Sequence, residues 1–186
     1  VHGLEDTDPR YQRAVLAAEL GGSDVVANDD PEEVRYNLFQ ALQYLADWLS
    51  GNGCVALPAS MRKANGDKVF VRIMDDLATT ERSRWEVWAE VHHGRISLAT
   101  FEALLAEEVA FLQADEERPD KRPQVRWNGP AARWYPIAVK LLRQLMTADE
   151  PPEFATELLL PFTFDVIRNA PDPWQAALDL CPGHYT

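Results

Sequence analysis

Two adjacent carboxylates, Asp75 and Asp76, are the residues of this sequence best suited to chemistry. They stand where an alternating apolar segment ends and a helical pattern begins. Within a helix, neighbouring side chains point about 100° apart, but at a helix start one can cap while the other projects into a cleft. The helix dipole and the free N–H groups keep a carboxylate ionised there, which suits a general base. Capping is the commonest role of Asp at this position, so the pattern alone favours a cap.

A single cysteine lies upstream of the carboxylates. Cys54 follows the turn Gly51-Asn52-Gly53. Its thiol could line a pocket or react, although a lone cysteine is more often a small buried residue behind a turn. Because no base is adjacent in the sequence, a nucleophilic role has little support.

Two arginines follow the carboxylates on the same predicted helix. Arg82 and Arg84 could pair with Asp75, Asp76 or Glu81, or they could recognise an anionic ligand through their guanidinium groups. An ion pair within the helix is the simpler interpretation. The residues alone leave both possibilities open.

The elements that must hold these residues are mostly helices, and the sequence predicts a mainly α, bundle-like domain. Asp30 can cap a first helix, and Gly51 can end it in a left-handed conformation. Asn65-Gly66 between apolar runs predicts one small β-hairpin. Asp76 and Ser97 can start two further helices. We also expect a charged loop over 114–125, a helix from residue 128 onward, two short helical pieces over 154–167 and a short helix around 174–180.

Composition limits the classes of function. The 186 residues are 46% hydrophobic, which is enough for a core, and the formal net charge is −12. An acidic surface repels phosphate backbones, so we expect no nucleic-acid partner. No apolar run approaches the roughly 18 residues of a membrane span, so we expect no membrane partner. Two cysteines are too few for a disulfide framework, which makes a cytoplasmic location the default expectation. Because the chain begins at Val1 with no initiator methionine, we expect a fragment, a processed protein or a chain trimmed before residue 1.

The motifs together resemble the C-terminal helical domain of malate synthase, of the shorter type found in bacteria, plants and fungi. The family shows Gly-Asn-Gly-Cys-Val, then Met-Glu-Asp-x-Ala-Thr-x-Glu-x-Ser-Arg, then Trp and His-His-Gly at the end of the next helix. The resemblance covers residues 31–168 and is specific at 51–94, with 1–30 as a lead-in helix and loop and 169–186 as a tail. The matching residues are Gly51-Asn52-Gly53-Cys54-Val55, Met74, Asp76, Ala78, Thr79, Glu81, Ser83, Arg84, Trp88, His92, His93 and Gly94.

The resemblance implies a reaction and a partner. In the family, acetyl-CoA and glyoxylate condense to malate and CoA, with glyoxylate and Mg²⁺ held by a (β/α)8 barrel that the C-terminal domain covers. Asp76 falls on the general base, and Cys54, Asp75 and Arg84 on positions expected to bind substrate or CoA. We expect no metal ligands in this chain, because Mg²⁺ belongs to the barrel. Without that barrel, the isolated chain is expected to be inactive.

Two departures from the family pattern keep other functions open. Asp75 replaces the family Glu, and about a dozen extra residues, 60–72, precede Met74 and are expected to form a hairpin near the site. One alternative is a helical docking or regulatory domain that has lost catalysis. Another is a related acyl-CoA lyase or thioesterase with a different substrate.

Overall fold

The fold is that of a computed structural model, which describes residues 30–114, 127 and 129–185. Residues 1–29 of the predicted lead-in region and residues 115–125 of the predicted charged loop lie outside these residues. The described part is mainly α-helical with one two-stranded antiparallel hairpin, which confirms the predicted fold class. Its elements are α1 (Pro31–Ser50), β1 (Val55–Arg62), β2 (Lys68–Asp75), α2 (Leu77–His92), α3 (Leu98–Gln113), a 3₁₀ helix (Gly129–Trp134), α4 (Tyr135–Thr147), α5 (Thr156–Leu159), a 3₁₀ helix (Leu160–Thr163), α6 (Asp165–Arg168) and α7 (Pro173–Leu180).

The central element is α1, which packs against α2, α3, α4 and the first 3₁₀ helix. Asp30 caps its first turn by accepting a hydrogen bond from the Glu32 N–H at 3.0 Å. At the other end, Gly51 has φ 115°, in the region that favours glycine, and its N–H bonds to the last carbonyls of the helix. Both predicted ends of this helix are therefore confirmed.

The hairpin brings the start of β1 against the end of β2. Its register pairs Val55 with Asp75 and continues to Arg62 with Lys68. Side chains alternate between the two faces of a strand, so Asp75 is buried while its neighbour Met74 is exposed. Because β2 leads directly into α2, the hairpin sets the position from which α2 begins.

The core forms where α1 meets α2, α3 and α4. Ser97 caps α3 as predicted, accepting from the Thr100 N–H at 3.0 Å. Trp88 of α2 donates its indole N–H to the Ala148 carbonyl after α4 at 2.8 Å. The buried side chains of this core include Leu38, Leu42, Leu45, Leu49, Val87, Phe101, Leu105, Leu141, Leu142 and Leu145.

The C-terminal third differs in detail from its prediction. Residues 154–167 form three short helical pieces rather than two, because Pro161 lies in a separate 3₁₀ turn where its missing N–H costs no helical bond. The helix expected from residue 128 starts as a 3₁₀ turn at Gly129 and becomes α-helical only at Tyr135. The short helix expected around 174–180 is present as α7. Across the described ranges, no helix is both long and apolar enough to cross a membrane.

Candidate active site

Asp76 lies at the N-terminus of α2 and caps it. Its backbone is extended, with φ −132° and ψ −168°, and its Oδ1 accepts a hydrogen bond from the Ala78 N–H at 3.0 Å. Its other oxygen, Oδ2, receives no hydrogen bond from the residues that the structure describes. The side chain is half-buried, so it is held in place and still meets solvent. Asp76 therefore caps a helix through one oxygen while its side chain stays partly exposed.

Asp75 lies directly before Asp76 but points the other way. It is only 4% exposed, and its buried Oδ2 has no hydrogen-bond partner within the described part of the chain. Burial raises the pKa of this carboxyl, and the charge of Asp76 raises it further. The Thr79 hydroxyl and the charge of Arg82 oppose that rise. Asp75 is thus a buried acid beside the candidate base, and it offers no surface to a substrate in this conformation.

Cys54 stands one residue beyond the paired ends of the hairpin. Val55 pairs with Asp75 at this end of the hairpin. Cys54 comes immediately before Val55 and Asp76 immediately after Asp75, so the two residues flank the same end of the hairpin. The thiol is free and exposed, so the structure does not give it the buried position that is more usual for a lone cysteine. Its predicted contact with substrate or CoA stays a prediction, and its location beside Asp76 is compatible with it.

Tyr44 joins this cluster, and sequence reasoning missed it. The ring is 1% exposed, and the hydroxyl donates a hydrogen bond to the Gly53 carbonyl at 3.2 Å. Burial raises the pKa of the phenol to about 12, and the nearby charges of Asp76 and Cys54 contribute to the rise. The available signal was a tyrosine in the apolar stripe two turns before Gly51, since a buried Tyr hydroxyl needs a partner.

Arg84, like Asp75, is a predicted ligand-binding residue that the structure places away from the surface. Its side chain is fully buried, with Nε donating to Glu81 at 2.7 Å and Nη2 to the Glu153 carbonyl at 2.5 Å. The guanidinium also lies 4.0 Å from the Trp85 ring centroid. Burial lowers the pKa of Arg84, while the charges of Glu81 and Glu157 oppose this. The arrangement anchors the 153–155 backbone to α2, and it leaves no guanidinium edge open to CoA.

The end of α1 is held by an arginine from the C-terminal region. Arg168 donates from Nη1 to the Leu49 carbonyl at 2.8 Å and from Nη2 to the Ser50 carbonyl at 3.3 Å. These carbonyls lack partners within the helix, so the guanidinium completes the helix end. The contact places α6 next to the end of α1 and the Gly51–Cys54 turn that follows it.

The metal implied by the resemblance does not fit these residues. In the described ranges, no group of three or more His, Cys, Asp or Glu side chains is arranged to hold a metal ion. Asp75 and Asp76 are adjacent but point in different directions, and one of them is buried. We therefore assign no step to a metal held by this chain.

The comparison with protein families identifies the class to which the fold and the site belong. A family model described as "Malate synthase, C-terminal" matches residues 28–160. The chain belongs to this family of malate synthase C-terminal domains.

Individual relatives agree with the family. Malate synthase A of Escherichia coli strain K12 is 30% identical over 132 residues, which are 67% of this chain and 21% of that protein. Malate synthase of Myxococcus xanthus is 34% identical over 91 residues, 45% of this chain and 14% of the relative. The "Bifunctional glyoxylate cycle protein" of Caenorhabditis elegans is 30% identical over 128 residues, 66% of this chain and 11% of the relative. The chain thus spans about a fifth or less of the length of these three proteins.

Proposed function

We propose that this chain supplies the general base of a malate synthase-like enzyme, which condenses acetyl-CoA with glyoxylate to give malate and CoA. The observation that carries the proposal is the geometry of Asp76. Its carboxylate is fixed by the Ala78 N–H through Oδ1, and the side chain is half-buried at the start of α2. Asp30 and Asp172 also cap helices through one oxygen. What favours a catalytic role for Asp76 is therefore its place beside the buried Asp75 and near Cys54 and Tyr44, at the position that the resemblance gives to the general base.

In the proposed reaction, Asp76 removes a proton from the methyl group of acetyl-CoA. The electron pair of that C–H bond forms an enolate, whose methylene carbon then attacks the aldehyde carbon of glyoxylate. The new C–C bond gives a malyl thioester, and water cleaves the thioester to release malate and CoA. A carboxylate with a pKa near 4 is a weak base for this task, so the enolate needs fixed positive charge, where one donor can contribute about 10²–10³ in rate. We assign that charge to the partner.

The proposed partner is a (β/α)8 barrel, elsewhere in the same protein or on another chain. It would bind glyoxylate and carry the Mg²⁺ that the family resemblance implies. Two observations support a partner: the partly exposed carboxylate of Asp76 and the small share of its relatives that the chain covers. On this proposal, residues 30–185 alone release no CoA from acetyl-CoA and glyoxylate.

The experiment joins this chain to Escherichia coli malate synthase A in place of that enzyme's own matching segment. CoA release is measured with acetyl-CoA and glyoxylate, and exchange of the acetyl methyl protons with D₂O is measured separately. Asn caps a helix about as well as Asp, so Asp76→Asn keeps the fold and removes only the base. We expect both rates to fall by about 10²–10⁴-fold, the usual contribution of general base catalysis.

The matched control is Asp172→Asn. Asp172 caps α7 by accepting from the Gln175 N–H at 3.0 Å, so this variant makes the same chemical change at another helix start. It should retain full activity. Equal CoA release from the unmodified chimaera and from Asp76→Asn would show that Asp76 is not the base. A docking or regulatory role would then remain for the domain.

The hairpin favours a second candidate within the same reaction class. Because β2 ends at Asp75, the base of the hairpin directly adjoins Asp76, and residues 60–72 extend from it. A domain with such a feature could serve a different 2-oxo acid or acyl-CoA, or carry out C–C cleavage or thioester hydrolysis. The same chimaera, supplied with other 2-oxo acids and with malyl-CoA, separates these substrates by their relative kcat/KM.

A further inference from the structure

Tyr44 lies where three elements of the candidate site converge. It belongs to α1, and its buried ring packs with Val55 and Leu57 of β1, against which Trp48 and Leu77 also lie. Leu77 is the first residue of α2, and it directly follows Asp76. The ring therefore belongs to an apolar cluster that joins the strand leaving the glycine turn to the helix that Asp76 caps.

The hydroxyl of Tyr44 extends this contact to the turn itself. It donates to the Gly53 carbonyl at 3.2 Å, in a turn whose residues Gly51, Asn52 and Gly53 are all exposed. Asp76, Cys54 and the backbone amide of Leu77 all lie close enough to affect the ionisation of this hydroxyl. With a phenol pKa raised to about 12, the group stays neutral and keeps its proton for donation at ordinary pH.

From this geometry we propose that Tyr44 is a positioning residue for Asp76, which ties the Gly51–Cys54 turn to the start of α2 and thereby fixes the direction of the carboxylate. The inference rests on the proposed function in so far as Asp76 is the base. A displacement of about 1 Å in a catalytic group can cost on the order of 10²-fold in rate. A single hydroxyl that holds the turn can therefore matter for turnover without contacting the substrate.

The test compares Tyr44→Phe with Tyr185→Phe. Both variants remove one hydroxyl from a buried tyrosine that donates to a backbone carbonyl, because Tyr185 donates to Leu158 at 2.7 Å. Tyr185 lies in the C-terminal region and is not part of the candidate site, so it controls for the loss of one buried hydrogen bond. Both variants keep the ring, and we expect similar, small reductions of Tm in the two.

Two readouts need no enzymatic activity. The first is hydrogen exchange at the Ala78 amide, which reports the bond to Asp76 Oδ1. The second is the alkylation rate of Cys54 by iodoacetamide. In Tyr44→Phe we expect exchange at Ala78 to accelerate at least about fivefold and the alkylation rate to change, with neither effect in Tyr185→Phe.

The third readout is kinetic and uses the active chimaera. Tyr44→Phe should lower kcat about tenfold at nearly constant KM, whereas a merely structural loss would lower the folded fraction and leave kcat per folded molecule unchanged. The proposal is overturned if Ala78 exchange in Tyr44→Phe equals that of the unmodified chain, or if kcat per folded molecule is unchanged while Asp76→Asn is inactive. If the chimaera releases no CoA at all, the proposed function fails, and the exchange at Ala78 still decides whether Tyr44 positions Asp76.

Discussion

At the scale of single residues, the buried carboxyl of Asp75 leads to a prediction of how the stability of the fold depends on pH. Its carboxyl is buried and its pKa is raised, so the folded chain holds this proton more tightly than the unfolded chain does. The stabilisation from that proton is complete below the unfolded pKa, near 4, and is lost as the pH rises through the higher folded pKa. Asp75→Asn removes this loss because the amide carries no charge. We expect the variant to be more stable than the unmodified chain near neutral pH, with a difference in the free energy of unfolding on the order of 1 kcal/mol.

Urea unfolding across pH 3–8 measures this effect. The two stability curves should converge below about pH 4, where Asp75 is protonated in both states of the unmodified chain. The control is Asp67→Asn, since Asp67 is an exposed acid in the hairpin turn whose removal leaves the buried site unchanged. Curves for Asp75→Asn that stay parallel to the unmodified chain over the whole range would show that the carboxyl does not titrate differently on folding.

At the scale of elements, the end of α1 depends on Gly51. With φ 115° and ψ 6°, its backbone lies in a region that costs a residue with a Cβ about 1–2 kcal/mol. A Cβ there would lie 3.8 Å from Arg168 Nη2, an ordinary contact, so the cost is conformational rather than steric. Gly51→Ala should lower the free energy of unfolding by about that amount, measured by urea unfolding.

Gly53 provides the matched control for that prediction. It lies two residues further along the same turn, has no positive φ, and would place a new Cβ more than 4 Å from any neighbour. Gly53→Ala should therefore change the stability by less than about 0.5 kcal/mol. Equal losses in the two variants would mean that the turn tolerates no side chain at all, and that the left-handed backbone of Gly51 is not what matters.

At the scale of the whole molecule, the sequence predicted what depends on near neighbours. The sequence predicted the caps at Asp30 and Ser97, the left-handed Gly51, and a cap at either Asp75 or Asp76, which the structure assigns to Asp76. Each involves residues within about four positions, where the local pattern carries the information. Arg84 was different, because its burial depends on the Glu153 carbonyl 69 residues away. No local signal predicts such a contact, and the same holds for the way residues 154–167 divide into three short helical pieces.

The relation of the domain to its proposed partner gives the last prediction. Arg168 holds α6 at the end of α1 that carries the Gly51–Cys54 turn, and two large apolar side chains of this region, Phe164 and Val166, are exposed. If the proposed barrel docks on this apolar surface, covering it would stabilise the contact. In the chimaera, the double variant Phe164→Ser and Val166→Ser should therefore lower CoA release by about tenfold or more, which corresponds to a loss of about 1.4 kcal/mol. Leu98→Ser is the control, because Leu98 is similarly exposed, at 55%, but belongs to a different element, the start of α3. Equal activity in the double variant and the control, with unchanged Tm in both, would place the partner on another face of the domain.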